Sequence, residues 1–365
     1  MFDAQVHRVL MASPADVSEA ARLFEGGAVD PADVVAILAQ TEGDGYARGY
    51  AAQSFEVLFS ERLKITREEV GQRIPMLMIG GTAGLMTPHA TLFVKKRVTG
   101  RPPGGKRLAL GVRSSRVLLP EEYGTMIQVE VVAATVREAL ADAEITDPKD
   151  VHCVEVKCPA MTPARVQDAR RRGQPVVNAN PAAASSMAKG ASALGVALAL
   201  GEVGPDRLGD GVICRDFGLY SAVASTSAGG EQVGCRAVVI GNATASGSAL
   251  VAGHGVMRDQ LDLAGAYRAF EGAGLRVEAG AVAAADQPRV QAVFVNAGAD
   301  FAPDVRGRRH TMPSDFLWSF AGWQAKAVAH AVVSAIVGDT LVLASAGAEH
   351  QGPPGANLVC VIARA

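Results

Sequence analysis

Three stretches of the chain share one pattern of polar and apolar positions. Each opens on an Asp-Pro turn, runs through a β-branched apolar segment and closes on a polar residue: Asp30-Pro31 to Gln40, Asp147-Pro148 to Lys157 and, more loosely, Asp286-Gln287-Pro288 to Asn296. Unbroken apolar runs of this length, bounded by turn residues, predict strands buried on both faces. Among the three closing residues only Lys157 carries a charge. The pattern therefore predicts three related units, one of them chemically different.

The remaining periodicity fills in each unit. An opening strand over Val6–Met11 leads to Ser13-Pro14-Ala15-Asp16, which reads as a helix start, with Gly26-Gly27 as its stop. After the loop Thr41-Glu42-Gly43-Asp44-Gly45, Phe55, Leu58 and Phe59 at i, i+3, i+4 predict a helix from near Arg48 that lays an apolar face on a sheet. Strands over Ile74–Ile79 and Ala90–Lys95 close the first unit, and the breaker-rich Arg101-Pro102-Pro103-Gly104-Gly105 is the best linker.

The second unit repeats this plan with a strand at Arg107–Val112, a helix ending near Ala143 and the strand to Lys157. A basic helix over Pro163–Arg172, a small-residue helix from Lys189 and a strand Ser221–Ser225 follow. The third runs through a helix at Leu263–Glu271, the strand to Asn296, a helix from Trp323 to Val337 and a strand Thr340–Ala344. Unit boundaries are expected at 1–103, 104–252 and 253–365.

Bulk properties narrow the function classes. With 365 residues, 49% of them hydrophobic, the chain can bury a large core. Its 35 basic and 37 acidic residues leave no electrostatic case for nucleic acid or an anionic membrane. Five cysteines without paired spacing suggest reduced thiols, and His89, His254 and His350 stand without metal-ligand spacing. The N-terminus lacks the pattern of a secretion signal, and apolar stretches such as Ala191–Leu200 are short for a membrane span, so a cytoplasmic protein is expected.

Aligning the units gives three positions in each. The strand ends are Gln40, Lys157 and Asn296; cations near helix starts are Arg48, Lys189 and Lys326; small-residue loops start at Ile79, Ser227 and Ser345. Only the second unit supplies both a lysine and a serine. A lysine held out of water, or beside other cations, loses its proton more readily and can serve as base to a hydroxyl. Loops of Gly and Ala let backbone N–H groups approach a ligand closely, which suits an oxyanion hole.

Several motifs, Thr41-Glu42-Gly43-Asp44-Gly45 with Arg48-Gly49, Glu155-Val156-Lys157-Cys158-Pro159, Gly190-Ala191-Ser192-Ala193-Leu194-Gly195 and Ala348-Glu349-His350-Gln351-Gly352-Pro353, resemble the ring-opening amidohydrolases, the cyanuric acid hydrolase and barbiturase family. The resemblance spans essentially the whole chain. It implies an α/β fold of three similar units around a pseudo-threefold axis, their strands forming a central β-barrel in a Toblerone-like arrangement.

It further implies Lys157 as base and Ser227 as nucleophile, with backbone amides at Gly80, Ala228 and Ala346 holding carbonyl oxygens. Arg48, Ile79, Lys189, Lys326, Ser345, Gln40 and Asn296 would bind substrate. The implied enzyme needs no catalytic cofactor and takes a small cyclic amide as its partner, with neither nucleic acid nor membrane, in a homo-oligomer. A metal near the C-terminus is also implied; its backbone segment Ala348–Ala356 is present, but Ala299 stands at the acidic ligand's position.

The departures shape the substrate. Family members similar to cyanuric acid hydrolase carry Lys and Ser in every unit and Arg at every helix start. Here Gln40, Ile79, Asn296, Lys189 and Lys326 differ, which points to a less symmetric ring with an apolar edge toward Ile79. A non-hydrolytic reaction on a heterocycle and a catalytically silent heterocycle-binding protein stay open as alternatives.

Overall fold

The structure is a computed structural model that describes residues 1–43, 45–81, 84–100, 104–298, 304–312 and 321–365. Thr82, Ala83, Asp44, Ala299 and the Arg101–Pro103 part of the expected linker lie outside the described residues.

Three four-stranded sheets organise the chain, and all have the same strand order. The first holds β1 (Phe2–Leu10), β2 (Val34–Glu42), β3 (Met76–Gly81) and β4 (His89–Arg97) in the order β1-β4-β2-β3. The second holds β5 (Arg107–Val117), β6 (Val151–Pro159), β7 (Ala224–Gly229) and β8 (Gly234–Ala243) as β5-β8-β6-β7. The third holds β9 (Leu250–Met257), β10 (Val290–Ala297), β11 (Val342–Ala346) and β12 (Asn357–Arg364) as β9-β12-β10-β11. In each, the strands that come second and third along the chain (β2/β3, β6/β7, β10/β11) run parallel and the other pairings are antiparallel.

The three Asp-Pro stretches fold alike. Each begins with a single 3₁₀ turn, Pro31–Asp33, Pro148–Asp150 and Gln287–Arg289, whose proline has a preset φ and no N–H to satisfy. The Asp30 and Asp147 carboxylates accept the N–H of Ala32 and Lys149. Asp286 is turned to Arg276 and Arg289 instead. Each following strand shifts register one residue in, at Val34/Ala36, Val151/Cys153 and Val290/Ala292, the mark of an equivalent β-bulge.

Both faces of these middle strands are buried, for different reasons. One face packs helices, the first three in the chain being α1 (Ser18–Glu25), α2 (Gly45–Leu63) and α3 (Arg67–Arg73): α2 sets Phe55, Leu58 and Phe59 against Ile37 and Ala39. In the second sheet α4 (Met126–Asp142) and α6 (Pro181–Leu200), with α5 (Pro163–Arg171) between them in the chain, cover Val154 and Val156, and in the third α7 (Leu263–Gly272) and α8 (Ala321–Val337) cover Val293 and Val295. The other face joins one shared core in which Leu38, Phe93, Cys153, Ile240, Phe294 and Cys360 meet. No single closed sheet runs through the described strands; the three sheets meet through this apolar core.

Small residues set the helix-to-sheet distance. A Cβ at Gly111 would stand 1.8 Å from the Ala139 carbonyl of α4, and one at Gly253 would stand 2.5 Å from the Ala269 carbonyl of α7. Contact this close leaves no alternative to glycine.

Several sequence expectations shift. Ser13–Asp16 is a turn rather than a helix start: the Asp16 carboxylate accepts the N–H of Ala12 and Ser18, and α1 runs over Ser18–Glu25. The helix expected from Lys189 begins at Pro181, capped by the Asn180 side chain, so Lys189 sits within it. The strand expected at Ser221–Ser225 lies at Ala224–Gly229, which takes Ser227 from the loop into β7. By length and composition α6 could cross a membrane, yet 61% of its apolar window is buried in the protein, largely against α4. Cys153, Cys158, Cys214, Cys235 and Cys360 are all free thiols.

Candidate active site

The strand ends and loop starts aligned by sequence are register partners across the parallel strand pairs. Gln40 faces Ile79 between β2 and β3, Lys157 faces Ser227 between β6 and β7, and Asn296 faces Ser345 between β10 and β11. Residues paired in this way project to the same face of a sheet. In each strand that face continues inward to the shared core, through Leu38, Glu155 and Phe294.

A cavity of about 350 Å³ lies at this end of the core. Lys157, Ser227 and Ala228 of the second sheet line it with Ile79 and Gly80 of the first and Ser345 and Ala346 of the third. Arg48, Lys189 and Lys326 complete the expected set, so residues separated by nearly the whole chain converge on one space. Gln40 and Asn296 stand behind its wall. Gln40 donates to the Ile79 carbonyl at 3.1 Å and accepts from Ala344 N at 2.7 Å, tying the first sheet to the third. Asn296 donates to Gly347 O and Gln351 Oε1, each at 3.2 Å.

Lys157 is 2% exposed and donates to the Met78 carbonyl at 3.0 Å. Burial lowers its pKa to about 8; Glu231 opposes that shift and Arg48 reinforces it. An amine with such a pKa is neutral in roughly a tenth of molecules at pH 7, far more than an exposed lysine. Lys326, 5% exposed, is likewise lowered to about 8 by burial, Arg48 and Lys157, and donates to the Gly80 carbonyl. Arg48 packs over Gly80, where an added Cβ would meet its guanidinium at 3.0 Å, and its Nε is buried without a hydrogen-bond partner among the described residues.

Each cation serves a neighbouring sheet's loop. Lys189, on the helix before β7, lies 2.6 Å from the Glu349 carboxylate beyond β11. Lys326, beside β11, meets Gly80 at the end of β3. Glu231, beyond β7, is held below its usual range against the opposing effect of burial chiefly by Lys157, with a smaller share from Arg48, after β2. Lys189, expected near a helix start, instead lies inside α6 and is placed by its ion pair.

Sequence reasoning missed Met78, Ser185 and Trp323, which also line the cavity, and the acids Glu231, Glu349 and Glu155. Glu231 and Glu349 stand at the same place in the aligned loops, four residues beyond Ser227 and Ser345, which was the available signal. Glu155 is 3% exposed, and burial pushes its carboxyl up to about 7 against the opposing influence of Ser225, Cys153 and Lys157. His350 is structural: its Nε2 accepts Cys214 N at 2.7 Å, which leaves Nδ1 to donate to Leu219 O at 2.6 Å.

Among the described residues no group of three or more His, Cys, Asp or Glu could hold a metal ion. The one carboxylate in the Ala348–Ala356 segment, Glu349, is taken up by Lys189 and by Ser186 at 2.7 Å. Ala299 lies outside the described residues. These residues do not fit the implied ion, and no chemical step is assigned to it.

Comparison with known proteins adds an independent line. The family described as "Amidohydrolase ring-opening protein" matches residues 5–364. A cyclic amide hydrolase of Azorhizobium caulinodans is 44% identical over 99% of both chains. A cyanuric acid amidohydrolase of Enterobacter cloacae is 45% identical over the full length of both. A solved structure described as "Cyanuric acid hydrolase: evolutionary innovation by structural concatenation" superposes with a TM-score of 0.93 at 39% identity, covering 100% of both chains. The cyanuric acid hydrolase of A. caulinodans superposes at 0.89 with 38% identity, covering 100% of this chain and 99% of that one.

Proposed function

Since the chain belongs to the ring-opening amidohydrolase family, we propose that it hydrolyses a C–N bond of a cyclic amide or imide, with Ser227 as nucleophile and Lys157 as base. The observation that carries this reading is the register pairing of Lys157 with Ser227 in a cavity lined by three cations.

The chemistry follows from those positions. Neutral Lys157 takes the Ser227 hydroxyl proton as Oγ attacks a ring carbonyl. Backbone N–H groups around Ala228, Gly80 and Ala346, with Arg48, Lys189 and Lys326 near them, favour negative charge on the carbonyl oxygens. Collapse of the tetrahedral intermediate breaks the ring C–N bond, and the Lys157 ammonium returns the proton to the leaving nitrogen. Water, giving one proton to the same amine, then attacks the Ser227 ester; its second proton passes to the departing Ser227 oxygen, so the serine hydroxyl is restored, a carboxylate leaves and Lys157 is left as the ammonium. General-base assistance of this kind contributes roughly 10²–10⁴ in rate.

The same reading sets the three sheets around a pseudo-threefold axis through the cavity, their inner strands acting as staves of a barrel. Units at 1–103, 104–252 and 253–365 go with it, the last boundary being better drawn before Leu250 so that β9 stays whole. Only one unit keeps both reacting groups, and Ile79 offers an apolar edge where Ser227 and Ser345 offer hydroxyls. The preferred substrate is therefore a ring whose carbonyls are not all equivalent.

Intact-mass spectrometry with cyanuric acid, barbituric acid and substituted cyclic imides tests the proposal. A transient adduct that disappears in Ser227→Ala and stalls in Lys157→Ala is expected. Turnover that survives Ser227→Ala would overturn it.

A further inference from the structure

Opening a cyclic amide with water yields a carboxylate and an amide-like or urea-like nitrogen too weakly basic to hold an extra proton at neutral pH. One proton per turnover must therefore leave the site. In the mechanism above, on which this inference rests, that proton resides on Lys157.

The substrate cavity is a poor way out. Lys157 is 2% exposed, and Arg48, Lys189 and Lys326 line the space in front of it. A proton moving that way would pass three cations and the departing product.

A second cleft lies behind it. Its volume is about 840 Å³, and Tyr46, Tyr50, Gln53, Glu56, Arg236 and Glu231 are among its lining residues. Met78 is the shared wall: its side of β3 borders both spaces, and its carbonyl accepts the Lys157 hydrogen bond. Glu231 stands at the junction, with its carboxylate 3.9 Å from Lys157 Nζ and its side chain 38% exposed. One side-chain rotation or one bridging water closes that distance.

The other nearby acids are not so placed. Glu155 sits in the core at 3% exposure, two residues before Lys157 on β6. Glu349, the equivalent of Glu231 in the third sheet, is 2% exposed and locked between Lys189 and Ser186. Glu231 alone among them reaches both the amine and open solvent.

We propose that Glu231 is the proton exit of this site, a positioning residue that acts through Lys157. The Lys157 ammonium gives its proton to the Glu231 carboxylate; the resulting carboxylic acid loses it to water in the second cleft; Lys157 is left neutral for the next turnover. Charge and atoms balance, since the proton comes from the water consumed in hydrolysis. The charged groups facing Glu231 are Lys157 from β6, Arg48 from α2 and Arg236 from β8, and Glu155 and Lys326 face Lys157 in turn.

Glu231→Gln tests this, assayed with whichever ring of the panel turns over fastest. The expected result is a kcat lowered about tenfold or more with KM nearly unchanged, because Glu231 does not line the substrate cavity. Small buffer bases such as imidazole should restore the rate in proportion to their concentration in the variant and leave the parent enzyme unaffected. Glu231→Asp should retain an intermediate rate. A purely electrostatic role predicts the opposite sign, since removing the carboxylate lowers the Lys157 pKa further and speeds the reaction near neutral pH. A wild-type kcat in Glu231→Gln, or a reduced one that no buffer restores, overturns the inference while leaving the Lys157/Ser227 reading intact; that reading is judged separately by the Ser227→Ala adduct.

Discussion

Lys189 and Glu349 form an ion pair 2.6 Å long that joins the helix leading into β7 to the loop leaving β11, with Glu349 2% exposed. Removing one partner of such a pair leaves the other charge buried and unpaired. Glu349→Gln should therefore cost about 3 kcal/mol of stability in denaturant titration. Sign and pH window follow from the lowered Glu349 pKa, which burial opposes and Lys189 and Ser186 produce. Stability from this carboxylate is present above the ordinary glutamate range and is lost as pH falls through its folded pKa. The variant's stability should accordingly depend less on pH in the acid range than the parent's.

As the proposed base, Lys157 must be neutral, and its pKa is lowered to about 8 chiefly by burial. The kcat/KM of the free enzyme should rise with pH and level off near that value. Lys157→Arg, which cannot lose its proton, should lower kcat/KM by about 10³ at pH 9 and remove this rise, so that the ratio to the parent narrows toward pH 6.

Ile79 occupies the place that Ser227 and Ser345 hold in the other sheets, with 6% exposure at the cavity wall. Ile79→Ser should shift the ratio of kcat/KM values toward cyanuric acid, relative to a ring with an apolar edge, by about tenfold or more. Because Ile79 also packs in the shared core, the same change should cost about 2 kcal/mol in a thermal or denaturant melt. Unchanged preference in the substrate panel would remove Ile79 from the list of specificity residues.

Glu155 occupies, on β6, the place that Leu38 and Phe294 occupy in the other sheets. Its carboxyl is raised to about 7 by burial, against Ser225, Cys153 and Lys157. For an acid whose folded pKa is raised, stability is fullest below the unfolded pKa and falls as pH climbs through the folded one. Glu155→Leu should melt above the parent by about 5 °C at pH 8, with the difference shrinking toward pH 5. It should also move the acid limb of kcat/KM to lower pH, because Glu155 helps keep Lys157 protonated.

What the sequence made legible was local. An Asp and a Pro fix a turn within three residues, so the three strand entries could be aligned from the chain alone, and the aligned ends proved to be register partners. The beginning of α6 was missed because the Ala-rich run after Asn180-Pro181 has no apolar periodicity to announce it. The roles of Glu231 and Glu349 were hidden for another reason. Each is defined by a cation distant in the chain, Lys157 for one and Lys189 for the other, and no local pattern records such a pairing. The extent of barrel closure was equally out of reach, since apolar strands buried on both faces read alike whether sheets fuse or merely pack together.

The passing of each cation to the next sheet's loop has a consequence for anyone who would take this protein apart. Cutting the chain between any two sheets divides at least one of the contacts Lys189–Glu349 and Lys326–Gly80. A fragment carrying β5 to β8 would keep Lys157 and Ser227 yet surrender Arg48 and Lys326, two of the cations that line the cavity. The repeat is thus a unit of architecture only; the smallest piece that can be transplanted, circularly permuted or redesigned with its chemistry intact is the complete circuit of three.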